Sequence, residues 1–153
     1  VWHPGAPGLP ASAGALPDSP TFLPTGPGYD RKMKRKDTGI LGERLAGEFL
    51  RGKGYHIIET NYRCTEGEID IVARHGDDLV FVEVRAKRSG KFGSPEESIT
   101  PAKQEKLRVV AARYRETHED LPDSWRIDVV AVELDRRNRP SRIEVIENAV
   151  GED

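Results

Sequence analysis

The chain has 153 residues, of which 36% are hydrophobic and 33% charged, with a formal net charge of −2; that length suits one domain with a tail. No apolar run approaches the ~20 residues of a membrane span, and a near-neutral charge gives no general affinity for polyanions, so any nucleic-acid contact must come from local basic patches. The single cysteine, Cys64, excludes an internal disulfide and a multi-cysteine zinc site, and fits a reducing, cytoplasmic location.

Residues 1–30 differ from the rest. They hold seven of the eleven prolines and five of the fifteen glycines, with almost no charge, and lack both the basic start and the apolar centre of a signal peptide. Such a segment cannot bury enough surface to offset its ordering entropy. The expectation is a disordered tail over 1–37 and a folded domain over 38–150. The sole methionine, Met33, precedes Lys34-Arg35-Lys36, which suggests a native translation start there; a real flexible tail is the alternative.

From Gly39 to Lys53 the period is helical, with Leu41, Leu45, Ala46, Phe49 and Leu50 as the apolar stripe and Gly52 and Gly54 as the stop. Glu43 falls at the edge of that stripe, and periodicity alone favours a surface salt-bridge glutamate. Tyr55–Glu59 reads as a short strand. His56, like His3, His75 and His118, has no second histidine at metal-site spacing.

Two strand-like runs follow, Gly67-Glu68-Ile69-Asp70-Ile71-Val72-Ala73 and Leu79-Val80-Phe81-Val82-Glu83-Val84-Arg85, joined by a hairpin signal at His75-Gly76-Asp77-Asp78. Glu83, Arg85 and Lys87 share one strand face, and pairing of the runs brings Asp70 opposite Glu83 or nearly so. Two facing carboxylates among valines repel, so a cation is expected between them, a divalent metal flanked by a fixed positive charge. Arg85, Lys87, Arg88 and Lys91 place four cations in seven residues, growing out of the strand that carries the acids. Phe92-Gly93-Ser94-Pro95 then breaks regular structure.

The second helix starts at Pro101 with Thr100 as N-cap, and Leu107, Val110, Ala111 and Tyr114 mark its core face. Lys103 lies on that face one turn earlier, where it either snorkels outward, the safer reading, or reaches a buried anion. Trp125–Leu134 reads as a strand buried on both faces, with Asp128 paired to a nearby cation or backbone donor. Arg142–Glu147 reads as an edge strand. The order of elements is α/β, one mixed sheet flanked by helices.

Gly42-Glu43, Gly67-Glu68-Ile69-Asp70, Phe81-Val82-Glu83-Val84-Arg85, Lys103 and Arg126-Ile127-Asp128-Val129-Val130 together resemble the uncharacterised YraN-like bacterial family, from about Gly39 to Val132. That family is similar to restriction-endonuclease-like proteins with the PD-(D/E)xK signature, closest to Holliday-junction resolvases. The resemblance implies Asp70 and Glu83 as metal-binding acids, Glu43 as an accessory acid, and Arg85 in the place of the signature lysine. It further implies Mg²⁺ or Mn²⁺ and hydrolysis of DNA phosphodiesters, branched DNA included; symmetric cutting of two strands would require a homodimer. Arginine cannot serve as a base at neutral pH, so Arg85 is expected to orient or clamp, with Lys87 taking part of the lysine's role. Lys87, Arg88, Lys91 and Lys103 are the expected nucleic-acid contacts. Three readings remain open: a metal-dependent nuclease, a nucleic-acid-binding module that has lost the chemistry, and a buried ion network with a structural role only.

Overall fold

The computed structural model describes residues 27–88 and 93–151, with side chains from Asp37 onward. The order is α1 (Pro27–Gly52), β1 (His56–Cys64), β2 (Gly67–His75), β3 (Asp78–Arg88), a 3-10 turn (Pro95–Ser98), α2 (Pro101–Thr117), β4 (Ser124–Leu134) and β5 (Pro140–Ile146). Residues from Thr38 onward form one compact unit. The expected tail falls largely outside the described residues, but its last part does not: α1 begins at Pro27, so Met33 is helical. The run of prolines ends at Pro27, and the Arg, Lys and Met residues at 31–36 are good helix formers. No described helix is long and apolar enough to cross a membrane.

The five strands form one sheet in the order β1-β2-β3-β4-β5. All neighbours are antiparallel except β3 and β4, which run parallel from Asp78↔Ser124 to Arg88↔Leu134. The mixed α/β architecture expected from the element order is therefore the one observed. β1 runs past the expected end at Glu59 to Cys64, because it pairs with β2 down to Cys64↔Gly67; cross-strand pairing overrides a locally weak strand signal. Between β2 and β3 the chain turns through Gly76 and Asp77, with Gly76 at φ +61, as a two-residue hairpin with glycine first requires.

Alternation along β3 divides the core. Val80 and Val82 face α1, packing with Ile71, Ala73, Val130 and Val132 against Ala46 and Leu50. Leu79 and Phe81 face α2, where Leu107, Val110, Ala111 and Tyr114 cover them as the helical period predicts. β4, covered on both sides, is the buried strand that its valines announced.

The helix ends follow from local chemistry. Tyr55 N donates to Leu50 O (3.0 Å) and Gly54 N to Arg51 O (3.1 Å), with Gly54 at φ +93. This is a Schellman stop, and its apolar pair, Tyr55 and Leu50, lies in the core. At α2, Thr100 Oγ1 accepts from Lys103 N at 3.1 Å, satisfying one of the orphan donors of the first turn.

Gly42 is where α1 crosses β3. A Cβ there would lie 2.5 Å from Ala86 Cβ, so only a residue without a side chain allows this approach. Gly42→Ala is expected to cost about 1–3 kcal/mol, the usual range for overpacking, read as a lower denaturant midpoint. A midpoint raised by the usual helical preference for alanine would show that the approach is not tight.

Candidate active site

β2 and β3 do not stay together. Their pairing ends at Ile71↔Val82, while β2 continues along β1 to Gly67 and β3 continues along β4 to Arg88. The sheet forks, and past the fork the β3 backbone faces a gap. Asp70 sits in that gap: its Oδ2 accepts from Val84 N at 2.8 Å, supplying the acceptor that a β2 carbonyl no longer provides. The same register, extended by one residue, sets Asp70 opposite Glu83, as expected from the sequence.

Both acids are buried, Asp70 at 9% and Glu83 at 4% relative exposure. Burial, and then the Asp70 charge, push the Glu83 carboxyl up to about 7, against opposition from Lys103 and Arg85. Asp70 is also raised, chiefly by burial, while the Val84 N–H favours its ionised form. Two buried carboxyls side by side oppose joint ionisation, and the nearness of Asp70 favours the protonated form of Glu83.

Glu83 Oε2 also lies 3.4 Å from Arg85 Nη1 and 3.6 Å from Lys103 Nζ. Lys103 therefore does not follow the snorkelling expectation; it points from the first turn of α2 to a buried anion. Arg85 is held from its other side, Nη2 donating to Ser98 O at 3.2 Å. Ser98 belongs to the 3-10 turn, which Glu96 ties to β5 through a two-pronged pair with Arg142 (2.8 and 3.2 Å). With two cations on Glu83, the acids at the fork do not outnumber their partners, and an ion network balanced by the protein itself is possible here.

The remaining expected residues divide. Glu43, on α1, is half-buried, and its carboxyl is raised first by burial and then by Asp70 and Glu68, so it feels the site. It does not join Asp70 and Glu83 in a single cluster, for no group of three or more metal-ligating side chains is assembled among the described residues. Lys87 lies across from Glu133 in the β3–β4 ladder. Arg88 falls on the opposite strand face from Arg85 and Lys87, its Nε buried without a partner. Lys91 lies outside the described residues. The basic run thus does not present one continuous patch among the residues described.

The sequence had not suggested the cluster at the other end of the sheet. Arg126 Nη1 contacts Asp78 Oδ2 at 2.6 Å and Nη2 lies 2.7 Å from His75 Nδ1, while His75 stacks on Tyr55 at 4.0 Å. A guanidinium only donates, so His75 Nδ1 accepts and its proton sits on Nε2. Asp128 receives Arg126 Nε and Asn148 N on Oδ1 (both 2.9 Å), and Tyr55 Oη (2.8 Å) and Arg126 Nη2 (3.2 Å) on Oδ2. Asp128 was expected to pair with a cation or a backbone donor, and it has both, Arg126 and Asn148 N. A surface depression of about 390 Å³ at Arg74, Gly76, Asp77 and Asp120–Ser124 opens near the start of β3. It is roughly 16 Å along the strand from Glu83 and contains none of the expected site residues.

Asp70 and Glu83 are hard oxygen donors with no histidine or cysteine beside them, a set that suits Mg²⁺ or Mn²⁺ rather than zinc. Two carboxylates are enough, since Mg²⁺ retains several waters and takes only one or two from the protein. A buried carboxyl pair whose joint ionisation is opposed by burial and mutual repulsion has the charge that a divalent ion would offset.

A model of the uncharacterised protein family UPF0102 matches residues 42–132, and this is the YraN-like family that the motifs resemble. The chain is 49% identical over 119 residues to a UPF0102 protein of Dehalococcoides mccartyi, covering 78% of this chain and 97% of that one. It is 47% identical over 117 residues to one of Moorella thermoacetica (76% and 98%). A third, from Roseiflexus castenholzii, is 46% identical over 121 residues (78% and 97%).

The raised Glu83 carboxyl has a measurable sign. Between about 4.5, its ordinary value, and about 7 the folded protein binds a proton that the unfolded chain releases, so stability falls as pH rises through that window. Urea unfolding of the metal-free protein should show this loss between pH ~5 and ~8. Glu83→Gln, which cannot ionise, should show a shallower loss; equal slopes would place the proton elsewhere.

Proposed function

The chain belongs to the uncharacterised protein family UPF0102, so its activity must be argued from its own site, and we propose that it is a metal-dependent nuclease hydrolysing phosphodiester bonds of DNA, with branched DNA as the implied substrate class. The observation that carries this reading is the pair Asp70–Glu83, two carboxyls buried at the fork on adjacent strands, each raised by that burial. The forked sheet, with acids on adjacent strands and a cation two residues beyond the second, supports placing the fold among the restriction-endonuclease-like proteins.

In this reading Asp70 and Glu83, with the Val84 carbonyl, would hold Mg²⁺ or Mn²⁺. When bound, such an ion polarises a phosphate oxygen and makes a water more acidic. The chain's residues do the rest. The Val84 N–H fixes Asp70 in one orientation. Arg85, steadied by Ser98 O, has the planar fork to clamp a phosphate oxygen and oppose the charge that builds as phosphorus gains a fifth ligand. Glu43, whose raised carboxyl feels Asp70, is placed to orient a water from the α1 side.

A second reading, a nucleic-acid-binding module of the same fold without chemistry, draws support from Arg85 standing where a lysine is expected and from the balance of Arg85 and Lys103 against the two acids. It requires salt-sensitive DNA binding with no cleavage under any metal.

Calorimetry with Mn²⁺ alone should give binding by the wild type, weakened about tenfold or more in Asp70→Asn and Glu83→Gln. Asparagine keeps an acceptor for the Val84 N–H, so that variant should remain folded. Cleavage of a four-way DNA junction in Mg²⁺ or Mn²⁺ should disappear in both variants. No heat with the wild type would remove the metal site and the nuclease reading with it; heat and DNA binding without cleavage would select the second reading.

A further inference from the structure

We propose that Lys103, delivered from α2, is the catalytic cation that meets the scissile phosphate, and that in the metal-free protein it is held on Glu83; this deepens the nuclease reading and rests on it. Two cations converge on Glu83 Oε2, Arg85 Nη1 at 3.4 Å and Lys103 Nζ at 3.6 Å, and they are not equally able to move. Arg85 is fixed at both sides, since its other terminal nitrogen donates to Ser98 O and the turn bearing Ser98 is clamped by Glu96 and Arg142. Moving it would require moving that turn.

Lys103 is built differently. Its backbone N–H is caught by the Thr100 cap, which fixes where the side chain starts. Its ammonium ends a flexible four-carbon stem with three rotatable donors, and the side chain keeps 28% of its exposure. With a divalent ion held by Asp70 and Glu83, the Lys103 ammonium would be repelled from Oε2 by like charge and would be free to meet an anionic phosphate. It would donate there to a non-bridging oxygen, the contact that Arg85, tied to Ser98, is less free to adjust.

The position is costly for any other purpose. Lys103 sits in the first turn of α2, where the helix dipole disfavours a cation, and that turn carries no acid of its own to compensate. Lys87, expected from strand alternation to share the lysine's role, is roughly 13 Å along the strand from Glu83 and opposite Glu133. The ammonium that lies on Glu83 beside the Arg85 guanidinium comes from the helix.

The test uses the full chain, Mn²⁺ and a four-way DNA junction, with Lys103→Met to retain most of the stem. In calorimetry with Mn²⁺ alone this variant should bind about tenfold more tightly than wild type, because a like charge has been removed from beside a ligand oxygen. In cleavage it should lose about 100-fold or more in rate, with junction affinity unchanged within about threefold, a single phosphate contact being a small part of the total. Adding Arg85→Lys to Lys103→Met should restore at least about tenfold of the lost rate by returning an ammonium to the site. Unchanged or weaker Mn²⁺ binding, wild-type cleavage by Lys103→Met, a rate loss matched by lost DNA affinity, or no recovery in the double variant would each overturn the proposal while leaving the nuclease reading in place. A wild type that binds Mn²⁺ but cuts no junction would overturn that reading, and this proposal with it.

Discussion

A single backbone donor, the N–H of Val84, organises the centre of this protein. Where β2 parts from β3, that group would face a gap inside a buried sheet, and an unpaired buried N–H costs roughly 1–3 kcal/mol. Asp70 Oδ2 closes the account at 2.8 Å. Everything at the site follows from that bond. It holds Asp70 beside Glu83, whose carboxyl is raised by burial and by the Asp70 charge, and on Glu83 Oε2 converge Arg85 from the strand and Lys103 from the helix. A structural requirement of the fork and a chemical capacity of the site are met by the same carboxylate.

Asp128 shows what a purely structural acid looks like in the same sheet. It is fully buried and receives four hydrogen bonds, divided evenly between its oxygens among Arg126, Tyr55 and Asn148 N. It has no capacity left for a ligand, and a fully satisfied network of this kind rigidifies its surroundings. The Asn148 bond also helps bring the chain back under β4, where Ala149 N donates to Ile127 O at 2.8 Å and Val150 enters the α2-side core. The acids at the fork have fewer donors: Asp70 takes the Val84 N–H, and Glu83 faces Arg85 and Lys103. Burial alone does not separate the two kinds of carboxylate; the count of donors does.

Periodicity made the architecture legible. Leu107, Val110, Ala111 and Tyr114 were recognisable as a core face, Thr100-Pro101 as a helix start and Trp125–Leu134 as a central strand, because each pattern depends on neighbours close in sequence. Asp70 facing Glu83 was readable for the same reason, a short hairpin setting its own register. What could not be read depends on contacts across long stretches of chain. Lys103 was visible as a lysine on a core face, but whether it turned to solvent or to an anion depends on where α2 lands on β3. Ser98 O leaves no trace in the side-chain pattern at all. His75 appeared isolated because its partners, Tyr55 and Arg126, are 20 and 51 residues away. The early start of α1 was hidden by the proline-rich composition just upstream of it.

The fork also has a dynamic consequence. Glu83 and Arg85 belong to β3, which is bonded to β4 along its whole length. Asp70 belongs to a ribbon, β1 with β2, whose backbone ladder with β3 runs only from Ile71 to His75 and beyond which the Asp70 side chain reaches Val84 N. One half of the site rides on the most continuous ladder in the molecule and the other on a flap hinged at its edge. Local opening, which in proteins begins where bonded neighbours are fewest, would here be a separation of Asp70 from Glu83. An ion bridging the two would act as a latch on that hinge, so amide exchange at Val84 should report its arrival.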